Sequence, residues 1–209
     1  MKTGNLARRT LLFSLAIPLL AQTRPPMVII LLGPPGAGKS TQAEKITKEF
    51  GLPAVSTGDL LRAEVKAGTP LGNSIAGIMK SGELVSNDIV NQLVTARFGQ
   101  PDAAKGLILD GYPRNQAQAQ FLDKMLADKG LPKPLVLNFV VPKDEIVKRL
   151  SGRGRADDKP EVILERLTVY DHETKPLLDY YASGNLETIT EYHSPDSVYA
   201  KVREAILKH

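Results

Sequence analysis

Along this chain, runs of apolar residues alternate with stretches that are apolar on one helical face only. Val28 to Leu32 is five apolar residues without a polar interruption, the length of a strand buried on both faces of a parallel sheet. Behind it, Thr41 to Phe50 sets Ala43, Ile46 and Phe50 on one face, and Gly51 supplies a helix stop. Ala54 to Ser56, Leu107 to Leu109, Leu135 to Val141 and Leu186 to Ile189 are further buried-strand candidates, separated by helix-length segments. This order predicts an α/β fold: a five-stranded, parallel, doubly wound sheet with its ligand at the carboxyl ends of the strands.

Two stretches break the alternation. Residues 58 to 98 hold three helical patterns and no strand: Leu60, Leu61 and Val65, then Leu71, Ile75, Ile78 and Met79, then Ile89, Val90, Leu93 and Val94 behind a Ser86 cap. They predict a small helical excursion. Ser151 to Pro160 has no apolar residue larger than Ala, so it predicts an exposed loop between two helices. The apolar residues of Val162 to Tyr181 are expected in the core, and His172 and His209 on the surface.

Composition narrows the chemistry. At 209 residues with 42% hydrophobic and 24% charged residues, the chain is long enough for a real core and is not a disordered or fibrous sequence. Without Cys there is no disulfide, thiolate zinc site or Cys nucleophile. The pI of about 9.2 would suit a nucleic-acid binder. However, Lys2, Arg8, Arg9 and Arg24 all lie in residues 1–26, which contain no acid and so carry the whole net charge of +4. The rest of the chain is balanced and lacks a broad basic face, which argues against a nucleic-acid partner and confines phosphate binding to a local site.

The same N-terminal segment runs from its basic stretch into apolar Leu11 to Ala21 and then Gln-Thr-Arg-Pro-Pro, the layout of a secretory signal. Eleven helical residues rise roughly 16 Å, about half a hydrocarbon core, so no stable membrane anchor is expected. Leu19 stands where a small residue is expected before a cleavage site, and Met27 is a second possible start directly before the first strand. Residues 1–26 are therefore read as an extension or signal-like segment and 27–209 as the functional domain.

Gly33-Pro-Pro-Gly-Ala-Gly-Lys39-Ser40 fits GxxxxGK[ST] and falls between a buried strand and a helix, as a phosphate loop must. Its backbone N–H groups and helix N-terminus would cradle phosphate oxygens, Lys39 would reach the terminal phosphates, and the Ser40 or Thr41 hydroxyl would lie on the Mg²⁺ side. Two later strands end in Ser56-Thr57-Gly58-Asp59-Leu60-Leu61-Arg62 and Asp110-Gly111-Tyr112-Pro113-Arg114-Asn115-Gln116-Ala117-Gln118. Together with the phosphate loop, these segments resemble the adenylate kinases, from about Val28 to the C-terminus and in the family's order and spacing.

The resemblance implies transfer of the terminal phosphoryl group of ATP to AMP, giving two ADP, with Mg²⁺ as cofactor, in a cytoplasmic monomer. It implies an ATP site at Gly36, Ala37, Gly38, Lys39, Ser40, Thr41, Arg149, Arg153 and His193. It implies an AMP site within an NMP-binding region at 57–86 and beyond it: Thr57, Arg62, the Glu83-Leu84-Val85 wall, Gly111, Tyr112, Pro113, Arg114, Gln118, Arg155 and Arg166. Lys39, Arg114, Arg153, Arg155 and Arg166 would act on the transferring phosphoryl group, Asp110 would meet Mg²⁺ through water, and 151–160 would be a short lid. His193 stands where many relatives carry Gly, so a positive φ there would strain the turn. Two other readings stay open: a UMP/CMP-type kinase, in which Ala and Asn tend to replace Thr57 and Gln118, and a non-catalytic P-loop binding module. For Arg62, Arg149 and Arg166, a solvated surface charge is the default apart from motif context, and Asp157 and Asp158 could simply pair with the loop arginines.

Overall fold

The structure, a computed structural model, describes residues 25–152, 154–155 and 158–209; the signal-like segment through residue 24, Arg153 and Asp157 lie outside the described residues. Five parallel strands form one sheet: β1 (Ile29–Leu32), β2 (Ala54–Ser56), β3 (Ile108–Asp110), β4 (Leu135–Phe139) and β5 (Asn185–Ile189), in the order β2-β3-β1-β4-β5. β1 is central, pairing with β3 on one side and β4 on the other, so the chain's direction of winding switches beside it.

The uninterrupted apolar run has a simple cause. Val28, Ile30 and Leu32 feed one core layer while Ile29 and Leu31 feed the other, so alternating side chains meet protein on both faces. The first layer is shared with α4 (Asn87–Phe98), α5 (Gln116–Asp128) and α8 (Leu177–Tyr181); the second with α1 (Lys39–Phe50) and α9 (Pro195–Lys208). Burial on both faces holds for β1, β3 and β4, whereas the edge strands β2 and β5 are partly exposed, contrary to the reading of five buried strands.

The helical excursion is present as α2 (Thr57–Ala67), α3 (Pro70–Ser81) and α4. Ser86 stands at the N-cap of α4 as expected, but its side chain makes no capping hydrogen bond. Ser56, Asn115 and Ser194 do the capping of α2, α5 and α9 instead, each accepting a backbone N–H three residues on. The polar stretch joins α6 (Lys143–Ser151) to α7 (Pro160–Val169), where Leu164 is exposed rather than in the core. β3 lies one residue later than its hydropathy suggests, because Asp110 pairs in register with Leu31 and Ser56. Among the described residues no helix is long and apolar enough to cross a membrane.

Met27 is already part of this fold: its N–H donates to the Lys105 carbonyl at 3.0 Å. Gly106 turns there with φ +104°, and a Cβ would fall 1.8 Å from the Met27 carbonyl oxygen. Gly106→Ala is therefore expected to destabilise the protein by roughly 2–3 kcal/mol, through positive φ and a backbone clash together. A urea titration reads this as a lowered midpoint, and an unchanged midpoint would contradict the packing of Met27 against this turn.

Candidate active site

The phosphate loop leaves the end of β1 and turns into α1, which starts at Lys39, two residues before the apolar periodicity begins. That earlier start puts Lys39 and Ser40 in the helix's first turn, where backbone N–H groups are unpaired. Gly36 takes φ +84°, and a Cβ on it would come within 2.9 Å of Leu150, so both conformation and space call for glycine. Lys39 Nζ donates to the carbonyls of Gly33 and Pro34 at 2.7 and 2.9 Å, folding its charge over the loop.

At the adjoining strand end, Ser40 Oγ donates to Asp110 Oδ2 at 2.6 Å, so the two residues assigned to the metal side stand together. Beyond Asp110, Thr57 Oγ1 and Arg114 Nε both donate to the Gly111 carbonyl, at 2.8 and 3.0 Å. This one oxygen ties the start of α2 to the loop after β3 that carries Arg114. Gln118, 2% exposed, accepts from the Arg114 N–H at 2.8 Å and donates to Asn87 Oδ1 at 2.9 Å. Thr174 Oγ1 donates to the Arg114 carbonyl at 2.8 Å, so this loop is held from three elements.

The other arginines have acidic neighbours. Arg62 pairs with Asp59; burial raises that carboxyl's pKa, but hydrogen bonds from Arg62 and Ser56 and the charge of Arg155 outweigh it and hold it below the usual range. Arg166 lies 3.7 Å from Asp158, whose nearly buried carboxylate also accepts the Arg155 N–H at 2.9 Å. Asp158 thus links Arg166 on α7 to the backbone of Arg155. Arg149 Nε donates to Glu145 at 2.8 Å while its Nη2 donates to the Tyr192 carbonyl.

These residues surround a cleft of about 550 Å³, which connects the phosphate loop with the loop after β5 and is also lined by Thr41, Asp110, Pro113, Arg149, Arg155 and His193. A smaller pocket of about 60 Å³ lies under the excursion, with Thr57, Gln118 and the Glu83-Leu84-Val85 wall on its sides. Arg62, Arg114 and Arg166 line both, so the two cavities meet at three guanidinium groups.

Tyr112 is the assigned AMP residue that lines neither cavity. It is buried, its OH donates to Asn91 Oδ1 at 2.6 Å, and burial pushes its pKa above the usual phenol value. His193 takes no positive φ, so the strain considered for it is not present. Arg153 lies outside the described residues. The sequence reading missed the supports: Asn87 and Asn91, polar residues four apart on α4, were visible as a pair, and Glu145 stands four residues before Arg149 on one helix, the spacing of an ion pair, whereas Thr174 carried no signal that would have linked it to Arg114.

The larger cavity is entered by the phosphate loop and the smaller one meets it at three arginines, so both are lined with groups that bind phosphate. This is the arrangement of a P-loop phosphotransferase. The Adenylate kinase family model matches residues 31–186. The chain is 49% identical over 180 residues to the adenylate kinase of Mycolicibacterium smegmatis, covering 86% of this chain and 99% of that protein. It is 47% identical to those of Mycobacteroides abscessus, over the same shares, and of Mycobacterium ulcerans, over 87% of this chain and all of the relative. The chain belongs to the adenylate kinase family, as its motifs indicated.

Proposed function

We propose that this cleft transfers the terminal phosphoryl group of ATP reversibly to AMP, giving two ADP, and that the larger cavity takes ATP and the smaller AMP. The observation that carries this is the meeting of both cavities at Arg62, Arg114 and Arg166. An AMP phosphate oxygen is already anionic, so the reaction needs no general base, and the rate must come from alignment and charge neutralisation. Planar guanidinium groups do both through bidentate contacts. Lys39 would draw the β- and γ-phosphates onto the phosphate loop, and the loop carrying Arg153 and Arg155 would exclude water, which would otherwise take the phosphoryl group.

Mg²⁺ fits the site as a shared ion rather than a protein-caged one. Among the described residues there is no group of three or more His, Cys, Asp or Glu able to hold a metal, while Asp110 and Ser40 stand side by side next to the phosphate loop. A Mg²⁺ bound mainly by phosphates and water would be oriented by these two residues, and when bound it offsets the charge of the donor phosphates. The need for ATP and AMP supports a cytoplasmic location, where we expect the chain to work as a monomer.

Thr57 and Gln118 on the acceptor pocket favour AMP over UMP or CMP. Gln118 spends one N–H and one oxygen lone pair on its neighbours and keeps one of each for a base edge. With ATP and Mg²⁺ and each of AMP, UMP, CMP and GMP in turn, AMP should give diphosphate at least about 10-fold faster than the others, the discrimination of one or two hydrogen bonds. Equal or better turnover of UMP or CMP would overturn the acceptor assignment, and no product with any acceptor would favour the binding-module reading.

A further inference from the structure

We propose that Asn87 is a positioning residue for the acceptor base: it locks the side-chain amide of Gln118 in the one orientation that accepts a 6-amino purine and refuses a 6-oxo purine. This rests on the ATP:AMP reading above. Asn87 is the first residue of α4 and lines neither cavity, whereas Gln118 on α5 lines the smaller one. Asn87 Oδ1 accepts two hydrogen bonds, from Gln118 Nε2 at 2.9 Å and from Asn115 Nδ2 at 3.0 Å. Its influence on a bound base therefore passes through Gln118.

A side-chain amide turned over by 180° keeps nearly the same shape, so its partners must fix which end is the oxygen. Here two backbone N–H groups settle it, because a backbone N–H can only donate. The Arg114 N–H donates to Gln118 Oε1 at 2.8 Å, which leaves the Gln118 NH₂ facing Asn87. The Gln118 N–H donates to Asn115 Oδ1 at 3.0 Å, which likewise turns the Asn115 NH₂ toward Asn87. Both amides thus bring a donor to the same point, and Asn87 supplies the acceptor oxygen that satisfies them. Turning Gln118 over would set its NH₂ against the Arg114 N–H and its oxygen against Asn87 Oδ1, two opposed contacts at a residue only 2% exposed.

Locked in this way, Gln118 keeps one N–H and one oxygen lone pair for the pocket. A 6-amino purine offers the matching edge, an amino donor beside the N1 acceptor. A 6-oxo purine offers the reverse, an oxo acceptor beside an N1–H donor, and would need the amide turned over. Asn87 resists that turn. The helix that carries Asn87 is held without it: one turn further on, Asn91 accepts from the Tyr112 OH at 2.6 Å, and Val90 and Val94 are buried in the core. Loss of the Asn87 side chain thus frees the Gln118 amide rather than α4.

The test measures Kd for AMP and for inosine 5′-monophosphate, which differs from AMP only at this edge, by calorimetry without donor, together with kcat and KM for AMP and for ATP. It is made on the full chain, on Asn87→Ala and Asn87→Asp, and on Gln118→Ala with and without Asn87→Ala. The full chain should bind AMP at least about 10-fold more tightly than the inosine nucleotide. Asn87→Ala should weaken AMP about 5-fold and narrow that preference about as much, the worth of one hydrogen bond, with KM for ATP and kcat at saturating AMP within about twofold. Asn87→Asp keeps the acceptor oxygen and suits the first turn of a helix, so it should retain the preference. Adding Asn87→Ala to Gln118→Ala should narrow the preference no further, because Asn87 acts through the amide. An unchanged preference in Asn87→Ala, an equal loss in Asn87→Asp, a loss of kcat in step with AMP affinity, or equal binding of the two nucleotides by the full chain would overturn the assignment. If the unaltered chain makes no ADP from ATP and AMP, the proposed function itself fails, whereas an active chain whose Asn87→Ala variant keeps its preference removes this inference alone.

Discussion

Lys39→Met is expected to lower the rate of ADP formation from ATP and AMP by about 10³-fold or more while leaving the fold intact. Lys39 is the single lysine of the phosphate loop, and its ammonium already sits over the Gly33 and Pro34 carbonyls, at the mouth of the cradle. Charge moves onto the bridging and terminal oxygens as the phosphoryl group leaves, so a cation there stabilises the transition state more than the bound ground state. Methionine keeps the length of the side chain and removes the charge. The loss should therefore fall mainly on kcat, with a smaller rise in KM for ATP, and the unfolding free energy from a urea titration should change by less than about 1 kcal/mol. A rate within 10-fold of the parent would mean that backbone N–H groups and arginines suffice without Lys39.

The second large effect is expected for Arg114→Lys, a loss of about 10²-fold or more in kcat with the positive charge retained. Arg114 enters the junction of the two pockets with Nε already spent on the Gly111 carbonyl and its backbone fixed by Gln118 and Thr174. The planar group is thus aimed before any ligand arrives, which removes orientational cost from the reaction. A lysine ammonium is a point charge with no fork and cannot hold Gly111 and a phosphate in one plane. Arg166→Lys should behave similarly but also loosen Asp158 and the Arg155 backbone it supports. If Arg114→Lys retained nearly full activity, charge alone and not bidentate geometry would explain the site.

The parts of this account that were legible in the sequence have local causes. The phosphate loop is contiguous, its glycines answer to backbone conformation, and β1 announces itself because both of its faces are buried. The sequence could also say that Arg62, Arg114 and Arg166 belong to one site, but only through family resemblance, since each alone looks like a surface charge. Their partners were harder. Thr174 reaches the Arg114 carbonyl across 60 positions of chain, and Gln42 meets the Pro195 carbonyl across 153, contacts set by packing rather than pattern. The edge strands misled for a related reason: hydropathy marks burial, and β5 is held by its ladder to β4 although its faces are partly exposed. The family resemblance implies an AMP contact for Tyr112, whereas its ring is buried in the core and its OH reaches Asn91.

The central claim is direct phosphoryl transfer from ATP to AMP, and the measurement that tests it most directly is the stoichiometry of the reaction. The full chain is incubated with Mg²⁺, ATP and AMP, and all three adenine nucleotides and inorganic phosphate are followed over time. The account predicts that two ADP appear for each AMP consumed, that the reverse reaction starts from ADP alone, and that phosphate release is negligible. ADP appearing one for one with free phosphate, with AMP untouched, would make the protein an ATP hydrolase and would contradict the reading of the second pocket as an acceptor site.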